Sequence, residues 1–367
     1  MTVETRTRPD TAVEQKLAIA DCDVHPSPKS VEKEIYPFLS KKWQSYYETY
    51  GMLLRQPYQN GPAYPKGQPD AARRDAYPPK GGRPGSDLEF MREQLLDAHN
   101  VQLGVLNPLK SGQGLQNPDF AAAYCRAVND WQIAEWTSKE PRLKGSVCLP
   151  YEDAGLSVQE IERRAGDPNF IQAFMLIRTS EPMGNRRYWP IFEACAAQNL
   201  PLAVHAFGFG GNAITGSGWP SYYIEDMVGH SQSAQNLLAS MLLEGVFERF
   251  PNLKLVIVEA GFAWAPALGW RLDRVWRQNR MELEHVTRPP SETMRQNVWF
   301  TTQPFEEPDR RGHLKDVFDW IGWDRLLFAT DYPHWDFDDP SRIPLPKCDE
   351  ATRRAFFRDN ARTLYGV

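Results

Sequence analysis

Apolar residues in this chain fall into short unbroken runs, set apart by longer stretches in which they recur at helical spacing. The runs are Ala18 to Val24, Val101 to Leu109, Leu143 to Pro150, Phe170 to Arg178, Leu202 to His205, Leu253 to Glu259, Val298 to Thr302 and Arg325 to Thr330. Short runs without a 3.6-residue period predict strands buried on both faces. Between them, helices are predicted through Phe120, Tyr124, Val128 and Trp131, from near Ser157, over Tyr188 to Gln198 and over Gln232 to Phe247. Further helices follow through Trp264, Trp270 and Trp276, up to Trp320, and from Glu350 to Leu364. Strand and helix alternate eight times, which predicts one parallel (β/α)8 TIM barrel over residues 17–367. A doubly wound open sheet is the competing fold, but no Gly-rich fingerprint follows the first strand.

One stretch breaks the alternation. Residues 26–100 form a long insertion after the first strand. Val31, Ile35, Leu39 and Trp43 predict a helix over Ser30 to Tyr50. Arg55 to Gly85 is too rich in proline and glycine for a regular element. Ser86-Asp87-Leu88-Glu89 has the form of a capping box that opens another helix. A loop of this length inside a barrel predicts a functional or interface role.

Composition changes this picture only slightly. A net charge of −5 in 367 residues gives no reason to expect nucleic acid or a membrane surface as a partner. No apolar run reaches a transmembrane length. Met1 to Lys16 is polar and reads as a disordered tail without the core of a secretory signal. Five scattered cysteines predict reduced thiols and a cytoplasmic setting. The 12 tryptophans predict a large aromatic core or an interface, and with it an oligomer, homo- or hetero-, with a related barrel subunit.

The candidate chemistry lies where the strands end. In a barrel the carboxyl ends of the strands meet at one mouth. Asp23 and His25 end the first strand and point to one face because strands alternate with period two. Arg178 ends the fourth, His205 the fifth, Glu259 the sixth, and Asp331 follows the eighth. His230, in the insert after the fifth strand, can reach the same mouth. Nitrogen and oxygen donors without cysteine suit Zn, Mn or Fe, as one divalent metal or possibly two ions. Glu259 or His230 is the candidate catalytic base. Arg178 is placed to clamp a substrate carboxylate or to pair with Glu259. His334, past the turn at Pro333, is expected to face substrate or support the site rather than ligate.

At these residues the chain resembles the amidohydrolase-related family, the branch of the amidohydrolase superfamily that includes aminocarboxymuconate semialdehyde and resorcylate decarboxylases. The resemblance covers about Leu17 to Val367. It rests on Asp23-Val24-His25, Val204-His205, Gly245 to Pro251 and Thr330-Asp331-Tyr332-Pro333-His334. It implies metal ligation by Asp23, His25, His205 and Asp331. The chain departs from the family in having Asp-x-His where many members have His-x-His. Arg178 stands where dinuclear members keep a lysine, and Glu259 where the decarboxylases carry a histidine.

Three functions follow as expectations. One is a metal-dependent hydrolase or decarboxylase of a small carboxylate or amide, working through a metal-activated water. The second is a dinuclear Fe or Fe/Mn monooxygenase, suggested by Glu259 together with His230. The third is a non-catalytic subunit that supports an active paralogue.

Overall fold

A computed structural model describes residues 17–52, 71–208 and 213–367. The apolar runs become strands β1 (Ile19–Val24), β2 (Val101–Leu106), β3 (Leu143–Cys148) and β4 (Phe170–Arg178). They continue as β5 (Leu202–Gly208), β6 (Leu255–Val258), β7 (Val298–Thr301) and β8 (Leu326–Leu327). All eight pair in parallel and in sequence order in one sheet.

β8 is shorter than its apolar run, and the backbone shows why. Its partner β7 ends at Thr301, so ladder pairing stops at Leu327, and Asp331, just beyond the run, turns at φ 64 in the left-handed region. The segment still closes the barrel. Cys22 N donates to Phe328 O at 3.0 Å, Asp331 N to Asp23 O at 3.1 Å, and His25 N to Tyr332 O at 2.8 Å. These bonds tie the first and last strand ends into one rim, so residues 23–25 and 331 must lie together.

The helices depart from expectation mainly at their starts. The span from Ser30 to Tyr50 is not one helix. It splits into Val31–Glu34, a single turn at Tyr36–Phe38, and Lys41–Tyr50, because Pro37 cannot donate within a continuous helix. Asp87, not Ser86, caps Leu88–Met91, accepting from Phe90 N at 3.1 Å. Asp153 caps Ala154–Arg163, three residues before Ser157. The helix expected from Gln232 begins at Tyr223 instead and runs to Leu243, with Glu225 accepting from Tyr222 N at 3.3 Å at its start.

The inserted chain is docked on the barrel. Trp43 and Tyr46 from Lys41–Tyr50 pack on Phe120 of the helix Pro118–Gln132, at ring separations of 5.4 and 4.8 Å. Part of the Arg55 to Gly85 stretch, residues 55–70, lies outside the described residues. From Ala71 onward it crosses the mouth, with Arg73 N donating to Pro333 O at 2.9 Å and Trp335 N to Ala71 O at 2.7 Å. The five cysteines are unpaired. Among the described residues no helix is long and apolar enough to cross a membrane.

Candidate metal centre

Each strand end supplies its side chain to the mouth for a local reason. β1 carries register irregularities between Asp21 and Val24, which turn Asp23 and His25 inward together. β6 stops at Val258 because Glu259 has φ 52, and the same departure from extended backbone aims its carboxylate across the rim. Phe207, beside His205, has φ 77. Non-glycine residues in this region cost about 1–3 kcal/mol each, and three of them gather at one mouth. Gly85 answers a separate constraint. With φ +71, a Cβ there would lie 2.3 Å from the His25 carbonyl oxygen, so a side chain would push the inserted loop off the strand end.

The donor atoms converge. His25 Nε2 lies 2.7 Å from Asp331 Oδ1 and 3.2 Å from Asp23 Oδ1. His205 Nε2 lies 2.9 Å from Glu259 Oε2 and 3.4 Å from Asp23 Oδ2. His334 Nδ1 lies 2.7 Å from Asp331 Oδ1. Asp23, His25, His205, Glu259 and Asp331 are all buried. Yet Asp23 Oδ2, His25 Nε2, His205 Nε2 and Glu259 Oε2 have no well-directed hydrogen bond. Buried polar atoms are normally satisfied. Four that are not, aimed at one point, are the signature of a ligand set.

The imidazoles are already oriented for this. His25 Nδ1 meets Asn107 O at 2.8 Å, and His205 Nδ1 meets Ala206 O at 2.9 Å. A backbone carbonyl accepts only from an N–H, so Nδ1 carries a proton and Nε2 is the nitrogen that faces the centre. The carboxylates are held as well. Asn107 Nδ2 donates to Asp23 Oδ1 at 2.8 Å, while Asn107 Oδ1 accepts from Ser146 Oγ at 2.7 Å and Gln172 Nε2 at 3.1 Å. Gln303 Nε2 donates to Asp331 Oδ2 at 3.3 Å and to Asp336 Oδ2 at 3.1 Å. Asp21 accepts from Thr330 N at 2.9 Å and Thr330 Oγ1 at 2.6 Å, which staples the strand end before Asp331 to β1.

Three buried carboxylates this close need positive charge. Burial alone would lower His205, but Asp23 and Glu259 raise it to about 10. Burial, with Asp331 beside it, raises Glu259. The donors fall into two overlapping groups, each with its atoms within 4.8 Å of one another: Asp23, His25, His205 and Glu259, and His25, Glu259, Asp331 and His334. A divalent cation fits this donor set, and its charge offsets the cost of burying the carboxylates.

Five of the six sequence-derived ligand candidates therefore come together, and His230 does not. It lies inside the helix Tyr223–Leu243, not in the insert before it, and it belongs to neither group. The Phe207 ring contacts both histidines, 6.2 Å from His205 and 4.6 Å from His230. Burial, then the Arg178 cation and His205, lower His230 to about 3, so it is a neutral imidazole. Arg178 stands at the end of β4, its carbonyl accepting from Tyr151 OH at 3.2 Å. Glu259 Oε2 faces His205 Nε2 at 2.9 Å. His334 stands at ligand distance, closer than its place past Pro333 suggests. Asn107 and Gln303 were not legible as site residues. A polar asparagine inside the apolar run Val101 to Leu109 was the only signal of the first.

The profile of the family described as "Amidohydrolase" matches residues 20–367. The chain is 26% identical over 300 residues to a gamma-resorcylate decarboxylase of Polaromonas sp., covering 76% of this chain and 87% of that protein. It is 27% identical over 251 residues to a 2-amino-3-carboxymuconate-6-semialdehyde decarboxylase of Dictyostelium discoideum, covering 66% of each. Among solved structures it resembles a dihydroxybenzoic acid decarboxylase of Polaromonas sp. with bound manganese and the inhibitor 2-nitroresorcinol. That match has a TM-score of 0.65 and 20% identity, and covers 95% of this chain and 97% of the other.

Proposed function

The chain belongs to the amidohydrolase family, and from that premise we propose that it is a metal-dependent carboxy-lyase acting on a small-molecule carboxylate. The observation that carries this reading is the convergence of unsatisfied, buried donors on one point of the barrel mouth. Asp23, His25, His205 and Asp331 are the residues that would hold the ion. When bound there, a divalent metal supplies Lewis acidity toward carboxylate and carbonyl oxygens and acidifies bound water.

The rest of the work falls to the chain. The cavity beside His25 and His334 has a volume of about 370 Å³ and is also lined by Tyr77, Arg83 and Lys110. Two cationic side chains at its wall suit an anionic substrate. Glu259, raised by burial and by Asp331, is suited to carry a proton at its carboxyl oxygen. It delivers that proton to the carbon bearing the substrate carboxylate. The C–C bond then breaks, its electron pair returns to the substrate framework, and CO2 leaves. Glu259 regains its proton from solvent.

A second reading of the metal content is favoured by the second donor group. His25 and Glu259 belong to both groups, and since the single Nε2 lone pair of His25 can serve one ion only, Asp331 and His334 would hold the other, with Glu259 shared. Glu259→Gln separates the readings. It leaves one equivalent unchanged if Glu259 is only an acid, and reduces two equivalents to one if it bridges. The relatives named above are carboxy-lyases, so the oxygen-activating alternative takes no support from them. Nor does the intact donor set favour a non-catalytic subunit.

The activity test uses Mn-loaded protein with a panel of hydroxybenzoates in deuterated water. The expected result is CO2 release with deuterium at the vacated carbon. Turnover confined to an ester and amide panel would replace this reading with hydrolysis.

A further inference from the structure

A second cavity of about 810 Å³ opens beside the first. Ala72, Arg73, Arg74, Asp75 and Tyr77 of the inserted chain form one wall, Tyr223, Ile224 and Met227 of the helix Tyr223–Leu243 another, and Trp335 a third. Ala72 and Tyr77 line both cavities, so the two adjoin across the inserted chain. The inserted chain marks the junction with the metal centre, Ala72 pairing with His334 in an antiparallel bridge.

The two compartments differ in chemistry. The first presents His25, His334, Arg83 and Lys110, groups that suit a carboxylate head. In the second, the aromatic faces of Tyr77, Tyr223 and Trp335 stand with Ile224 and Met227. Ile224 is 68% exposed, Trp335 51% and Tyr77 46%, a concentration of solvent-facing apolar side chains at the entrance to a candidate active site. Such a patch marks a surface that something covers. Small-molecule sites generally span about 300–1,000 Å³. The first cavity alone accommodates a single substituted ring, and the second adds far more room than that substrate would use.

Resting on the carboxylate reading above, we propose that this second cavity is a substrate subsite. It takes the apolar, non-reacting body of a carboxylate larger than one ring, such as a biaryl or an aryl-alkyl acid. The occupant is a substrate rather than a partner protein because the cavity adjoins the one lined by His25 and His334, sharing Ala72 and Tyr77 with it. Aromatic faces give stacking without directional demand, so the subsite favours flat apolar groups.

The test is isothermal titration of the full-length, Mn-loaded protein with salicylate and with 4-phenylsalicylate. The expected result is that the two-ring acid binds at least about 10-fold tighter. Ile224→Glu and Met227→Glu should bring that ratio to near one while salicylate affinity stays unchanged. Ile224 is exposed, so its variant separates loss of the subsite from loss of the fold. A ratio near one in the wild type overturns the proposal and leaves the carboxylate reading intact. A ratio that persists in both variants also overturns it. If the variants instead change only the mass seen by light scattering, the patch is a contact between copies of the chain and the proposal fails. If neither acid binds the metal-loaded protein, the carboxylate reading falls with it.

Discussion

Alanine in place of His205 is expected to strip the mouth of its divalent ion and to lower kcat/KM by about 10³-fold or more. His205 is fully buried, with Nδ1 committed to the Ala206 carbonyl, so Nε2 has no role other than to face the centre. Removing it leaves Asp23 Oδ2 and Glu259 Oε2 facing a void with no cationic or donor group between them. The charge cost then falls on the fold as well, because buried carboxylates without a partner are destabilising. His230→Ala is the matched control. It removes an equally buried imidazole that belongs to neither donor group, so metal content should be retained. Elemental analysis of both variants after purification with manganese checks the pair. Equal metal in His205→Ala and wild type, or its loss in His230→Ala, would refute the assignment.

The second large effect is expected at Asn107, which touches no candidate substrate position. Its side chain joins Asp23 to Ser146 and Gln172, and Tyr365 OH extends the chain by donating to Gln172 Oε1 at 2.7 Å. Leucine fills similar space but leaves Ser146 Oγ without its acceptor, takes one of Gln172 Nε2's two acceptors, and frees Asp23 Oδ1 to rotate. Each buried polar group left unsatisfied costs about 1–3 kcal/mol. Outer partners of metal ligands are typically worth about 10–100-fold in affinity. Asn107→Leu is therefore expected to lower stability by about 2–5 kcal/mol and to weaken metal binding by about 10–100-fold. The orientation of His25 should survive, because its partner is the backbone carbonyl of Asn107, which leucine keeps. Denaturant unfolding with and without manganese measures both effects. Unchanged affinity in the variant would mean that Asp23 is held without Asn107.

How much of this was legible in the sequence depended on whether a residue's role follows from its own strand. Asp23, His25, His205, Glu259 and Asp331 each follow a run of apolar residues. In a closed barrel, ending a strand and reaching the mouth are the same fact. The shortened ends of β6 and β8 were not legible, since nothing in the apolar runs encodes the left-handed conformation of Glu259 or the end of the β7 pairing at Thr301. His230 was misplaced because its helix starts at Tyr223, where Glu225 caps the turn. That signal is masked by the exposed apolar residues Ile224 and Val228. His334 was underrated because the distance it covers depends on the turn after Asp331, which sequence spacing does not reveal. Asn107, Gln172 and Tyr365 act across 193 residues or fewer of intervening chain, as in the Tyr365–Gln172 contact, and no local pattern records such a pairing. The long insertion was expected to serve function or an interface, and its aromatic residues both pack on the barrel and reach the mouth. Trp43 and Tyr46 dock on Phe120, while Tyr77 faces the mouth.

The central claim is that one point of the barrel mouth, bounded by Asp23, His25, His205, Glu259 and Asp331, holds a divalent metal. Anomalous diffraction at the manganese edge, from crystals grown with manganese, measures this directly. The expected result is a peak among these side chains, with His25 Nε2 and His205 Nε2 as its nitrogen ligands. A second peak beside His334 would add the shared-glutamate arrangement. Manganese found only on exposed carboxylates, with the five side chains closed on one another and no peak between them, would contradict the account.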